Sequence, residues 1–240
     1  MSNKISVIMP YYRNKGMLEY HVELWKTYPQ DIKDAFEFIV IDDASPDMPA
    51  IDVLNKGIPD NMNVKLYRIT EDIPWNQLMA RNLGANVAEN EWVFMMDIDH
   101  TIPVDAAYGI MEMKLDRHHR YIFHRKTLKK GNFQPRKASY YLFLIHKDDF
   151  WEAGGYDEDF CGNFAFGGTM FKIHSDKINK EVVSDPCLEC HVYRVIPQAQ
   201  DLSLSRDKFA TTNRRLYHLK LSGQVPQSRE YLRLPWERLI

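Results

Sequence analysis

Four short apolar runs rich in β-branched residues punctuate the first hundred positions: ISVIM (5–9), FEFIVI (36–41), VKLYRI (64–69) and WVFMM (92–96). Each is bounded by turn or polar residues, as strands buried on both faces are. Between them lie GMLEYHVELWKTY (16–28) and WNQLMARNLGANVA (75–88), whose apolar residues recur near helical spacing. Strands alternating with helices leave few folds open. The pattern predicts an α/β, Rossmann-like architecture: a mostly parallel central sheet flanked by helices. Ligands of such sheets bind outside the carboxyl ends of the strands.

Three of those ends carry conspicuous chemistry: Pro10-Tyr11-Tyr12, Asp42-Asp43 and Asp97-Ile98-Asp99. Two ionised carboxylates one residue apart repel each other, and a divalent cation such as Mn²⁺ or Mg²⁺ is the common remedy, because hard cations take carboxylate oxygens. The alternation weakens after residue 101. SYYLFLIHK (139–147) reads as a strand, DDFWEAGGYDEDF (148–160) as a helical turn followed by a glycine pair, and about 203–221 as a helix before a proline-containing tail. With no internal repeat and no low-complexity linker, a single domain over 1–240 is expected.

Composition narrows the class. Apolar residues make up 45% and charged residues 27% of 240 positions, ordinary values for a soluble globular chain. No secretory signal and no bilayer-length apolar run is present, and three cysteines do not make a disulfide framework, so a cytoplasmic setting is expected. The net charge of -2 hides an asymmetry, about -7 over residues 1–100 and +5 over 101–240. Segment 114–137 holds nine Lys/Arg against one acid. Such a run is either a solvated face or a docking surface for an anionic partner, nucleic acid or an anionic glycan among them.

Four stretches in order resemble the GT-A glycosyltransferases, family 2 in particular. ISVIMPYYRN resembles the first strand and nucleotide loop, and FIVIDDASPD the second-strand motif. ARNLGANVAENEWVFMMDID resembles the approach to the DxD motif, and AGGYDEDF an acceptor-side segment. The resemblance covers roughly residues 4–160. It implies a metal-dependent transferase taking a nucleotide sugar, most naturally a UDP-sugar, with residues 1–100 as the donor half and 101–240 as the acceptor half. It further implies that Asp99 ligates the metal, with Asp97 near the metal or the ribose. Pro10 and Tyr12 would flank the base, and Asp43 would accept the uracil N3–H with Asp42 in support. Arg81 offers a planar fork for a phosphate or base oxygen. A further ligand is expected from His191, with His100 as its rival.

One departure bears on mechanism. Inverting relatives commonly carry an acidic pair about ten residues after the acceptor-side segment, and Gly167 and Gly168 stand there instead. Asp157, Glu158 and Asp159 remain as candidate bases, Asp157 also suiting a structural cap, and the stereochemical outcome stays open. Competing readings are a c-type haem or zinc site at Cys187, Cys190 and His191, a haloacid-dehalogenase-type phosphatase using Asp97 and Asp99 in DIDHT, and a catalytically inactive nucleotide-sugar-binding protein.

Overall fold

The computed structural model describes residues 2–129, 131–191 and 211–240. The first half is built from β1 (Ile5–Tyr11), α1 (Lys15–Lys26), α2 (Gln30–Ala35), β2 (Phe36–Asp43), α3 (Ile51–Gly57), β3 (Val64–Ile69), α4 (Gln77–Val87) and β4 (Trp92–Met95). β1 pairs in parallel with both β2 and β4, and β2 in parallel with β3. All eight residues of β2 are buried, so its sequence is continuously apolar apart from two special cases. The aspartates sit at its carboxyl end, and Glu37 is neutralised by Lys65 of β3 while accepting from Ser6 of β1. α4 presses so closely on β1 that a Cβ on Gly84 would collide with the Ile8 side chain.

The second half is mixed. β5 (His100–Thr101) and α5 (Val104–Glu112) lead into β6 (His119–Lys129) and β7 (Asn132–Arg136), an antiparallel hairpin. β8 (Phe143–His146) and α6 (Lys147–Glu152) follow, then a 3₁₀ turn at Glu158–Phe160, α7 (Gly167–Ser175), β9 (Lys180–Cys190), α8 (Thr211–Leu221) and β10 (Trp236–Arg238). Among the described residues the sheet runs β10-β3-β2-β1-β4-β8-β6-β9-β5, with β7 on β6. The expected strand at 139–147 is shorter, because Leu142 N–H donates to the Ser139 carbonyl in a turn ahead of β8. The expected helix at 203–221 is seen over Thr211–Leu221, and its first part lies outside the described residues. The tail adds β10 antiparallel to β3, covering what would be an open sheet edge.

The basic segment proves to be the β6–β7 hairpin and its approach. Part of its charge serves the fold: Arg117 binds the fully buried Asp149, Arg120 binds Asp176 and Glu181, and Lys126 binds Glu189. No helix among the described residues is long and apolar enough to cross a membrane.

Candidate active site

The carboxyl ends of β1, β2 and β4 open on one face of the sheet, where the strand order reverses around β1. At the end of β2 the two aspartates do different work. Asp42 is fully buried, and its two oxygens accept from the backbone N–H of Ser45 (2.8 Å) and Ala50 (2.8 Å), so it shapes the loop after β2. Asp43 accepts from Asn76 Nδ2 at 2.8 Å, and burial pushes its carboxyl up to about 7. Tyr12, just beyond β1, donates to Asp72 Oδ2 at 3.1 Å. Tyr11 is buried and donates to the Met48 carbonyl at 2.6 Å, a role in the fold.

Arg81 is no surface residue. α4 holds it 3% exposed, where its guanidinium binds the Asp97 carboxylate, donates to Tyr156 Oη at 3.3 Å and lies over the Tyr156 ring. Asp97 itself is 41% exposed, so Arg81 fixes one oxygen of an otherwise open carboxylate. Two residues on, Asp99 Oδ1 lies 2.7 Å from His100 Nδ1. Burial disfavours charge on both, yet their mutual hydrogen bond and attraction prevail. Asp99 is held below the ordinary carboxylate range, helped by Arg125, and His100 is pushed up to about 10, helped by Cys190 and Asp97.

His191 is fully buried beside this pair, its backbone N–H donating to the Asp99 carbonyl at 2.7 Å. Its Nε2 is 3.0 Å from Thr101 Oγ1, while Nδ1 has no hydrogen-bond partner among the described residues. The donor set suits a hard divalent cation: two carboxylates at a strand end and an orphaned buried imidazole nitrogen on the residue tied to Asp99. Asp97, Asp99 and His191 do not, however, form one compact donor cluster. Here the donor atoms lying within 4.8 Å of one another are those of Asp99, His100 and Cys190. Cys187 is not among them, so the Cys-x-x-Cys-His spacing does not close into a cysteine-paired site.

Asp157 and Glu158, expected as candidate bases, are engaged within the fold instead. Asp157 caps the 3₁₀ turn through Asp159 N–H (3.0 Å), accepts from Ser228 N–H (3.1 Å) and pairs with Lys220 Nζ (2.8 Å). Glu158 accepts from Asn82 Nδ2 (2.8 Å), Leu232 N–H (3.0 Å) and Arg233 N–H (3.2 Å). Both are buried and clamp the C-terminal tail onto α4 and the 3₁₀ turn.

Beside Arg81 and Asp97 lies a cavity of about 240 Å³ that the sequence did not announce. Its aromatic wall is Trp75, Tyr141, Phe160, Phe164 and Phe166. Trp75, Ala165 and Phe166 hold φ of +54°, +72° and +65°, conformations that cost about 1–3 kcal/mol each and gather at binding sites. The glycines standing where acids were expected have a packing reason. A Cβ on Gly167 would strike Leu78, and one on Gly168 the Tyr141 ring.

Known proteins share this fold. The model for glycosyl transferase family 2 matches residues 6–179. The structure of S. aureus TarS 1–349 aligns with a TM-score of 0.58 at 19% identity, over 85% of this chain and 66% of that one. GalNAc-T7 with UDP, GalNAc and Mn²⁺ aligns at 0.59 and 19%, over 79% and 44%. The mannosyltransferase PcManGT from Pyrobaculum calidifontis, in complex with GDP-Man and Mn²⁺, aligns at 0.61 and 15%, over 95% and 66%. The chain thus spans less than two thirds of each of these proteins, and at such identities they establish the shared GT-A fold alone. Comparison with curated proteins gave no match.

Proposed function

The chain belongs to glycosyl transferase family 2, and from that premise we propose that it moves a sugar from a nucleotide sugar, a UDP-sugar by preference, to an acceptor hydroxyl. The observation that carries the proposal is the convergence at one sheet edge of Tyr12 and Asp43 with Asp97, Asp99 and Arg81, beside a cavity large enough for little more than a single ring. In this reading Pro10 and Tyr12 flank the base, and Asp43 accepts an N–H from it. Asp97 and Asp99 hold Mn²⁺ or Mg²⁺, joined by His191 through its orphaned Nδ1, whereas His100, kept charged beside Asp99, is not proposed as a ligand. When bound, the cation supplies Lewis-acid neutralisation of the diphosphate leaving group.

The protein's own part is orientation and exclusion of water. Arg81 keeps Asp97 in one rotamer, and the aromatic wall of the cavity encloses the transferred sugar. Neither Asp157 nor Glu158 is proposed as the base, since every oxygen on them already accepts a hydrogen bond within the fold. The acceptor is proposed to approach from the 101–240 half. The phosphatase alternative is not favoured, because the glycosyl transferase family 2 match spans residues 6–179, DIDHT included.

Release of nucleoside diphosphate from UDP-glucose, UDP-GlcNAc and GDP-mannose, with Mn²⁺ and with excess chelator, tests the proposal. Metal-dependent release from one donor, lost in Asp99→Asn, is the expected outcome. Hydrolysis of a simple phosphomonoester with no turnover of any nucleotide sugar would overturn it.

A further inference from the structure

The β6–β7 hairpin places Arg125 directly opposite Arg136. Directly opposed residues of an antiparallel pair sit on one face with their Cβ atoms about 4.5–5.5 Å apart, and like charges there are destabilising. Elsewhere in the same segment the fold supplies acids: Asp149 for Arg117, Asp176 and Glu181 for Arg120, Glu189 for Lys126. Among the described residues no carboxylate lies at ion-pair distance from Arg125 or Arg136, although Arg125 is attracted to Asp99 from beyond that distance. Charge on an exposed edge strand guards against aggregation, which would account for Arg136 on β7. It does not account for Arg125, which is half-buried on β6, a strand paired on both sides.

Arg125 is also aimed. Its Nε donates to the Lys137 carbonyl at 3.1 Å, which orients the guanidinium, and Nη1 lies 3.4 Å from His100 Nε2. His100 in turn holds Asp99. A planar guanidinium fixed in this way, with a second arginine across the strand, matches the oxygens of a phosphate group.

We propose that Arg125 and Arg136 form a phosphate-binding pair on the hairpin, adjoining the Asp97–Asp99 site. The phosphate belongs either to the donor's diphosphate or to a phosphodiester in the acceptor. Assignment to the donor rests on the function proposed above, whereas the arginine pair itself does not. Unliganded, the two cations repel; a phosphate between them converts that repulsion into charge-assisted hydrogen bonds.

The test is calorimetric titration of the full chain with inorganic pyrophosphate and, separately, with a 12-nucleotide single-stranded DNA as a phosphodiester probe. Wild type is compared with Arg125→Gln/Arg136→Gln and with Lys4→Gln/Lys56→Gln, which removes equal charge from exposed positions elsewhere. The arginine variant is expected to lose about tenfold or more in affinity for at least one probe, with the lysine variant close to wild type. Loss confined to pyrophosphate assigns the pair to the donor; loss confined to DNA assigns it to the acceptor; loss of both marks a general phosphate site.

Equal binding by all three proteins, or no binding of either probe by wild type, overturns the proposal. Stabilisation of the same wild-type preparation by nucleotide with Mn²⁺ reports on the transferase reading separately, so either can fail alone.

Discussion

Replacing Asp157 by Asn separates a structural carboxylate from a catalytic one. Asn keeps one oxygen for Asp159 N–H, but its amide then turns a donor toward Ser228 N–H and the Lys220 ammonium, both of which need an acceptor. Breaking a buried pair costs about 3–5 kcal/mol. Lys220 and Asp157 are each 1% exposed in their side chains, which puts the pair in that class. Lys220 retains Asp159 at 2.7 Å and the Pro226 carbonyl at 2.8 Å, so the cost falls to about 2–3 kcal/mol. For a chain of this size each kcal/mol moves the midpoint by about 2–4 °C, which gives a drop of roughly 4–12 °C. Differential scanning calorimetry reads that drop, and donor turnover measured well below the midpoint should stay within a few-fold of wild type. A general base behaves oppositely, with turnover falling about 10²–10⁴-fold and stability hardly changed. A midpoint within about 2 °C of wild type, with turnover down more than a hundredfold, would refute the structural assignment.

Asp43 gives a pH signature. Its folded carboxyl titrates near 7 against an ordinary 3.8, so the folded state holds its proton where the unfolded state has lost it. Stability from this group is therefore full below about pH 4 and is lost as pH rises toward 7, and the midpoint gap between Asp43→Asn and wild type should widen over that window and level off above it. Gly84→Ala should cost about 1–3 kcal/mol in chemical denaturation, because the added methyl meets Ile8 on β1. Arg81→Lys should lower turnover more than stability, since a single ammonium cannot span both Asp97 and Tyr156 as the planar fork does. Equal loss in both would make Arg81 a packing residue.

The first half was legible because its strands are buried on both faces. β2 reads FEFIVIDD with every residue inside, and such runs have few alternatives to a parallel sheet. The second half resisted for the opposite reason. β9 alternates irregularly between exposed and buried positions, β5 has two residues and β10 three, so none carries a periodic signal. Asp43, Asp97 and Asp99 could be singled out because they lie at or just past strand carboxyl ends, and Arg81 because it lies on the helix between them. Asp157 was readable as a cap, but its ion pair and the clamping of Glu158 were not, since Lys220, Ser228, Leu232 and Arg233 follow more than sixty residues later. The aromatic cavity was hidden likewise: Trp75 and Phe164 come together only through folding, with rings 4.8 Å apart.

Thermal unfolding of wild type and Asp99→Asn with UDP, GDP or CMP, each with and without Mn²⁺, tests the central claim most directly. A ligand at about 100 times its dissociation constant adds roughly 2.7 kcal/mol to the folded state, a midpoint rise of about 5–10 °C. The account predicts that rise for one nucleotide, UDP first, only with metal and only with Asp99 intact. No shift in wild type under any combination would contradict the claim that Asp97 and Asp99 anchor a metal–nucleotide donor.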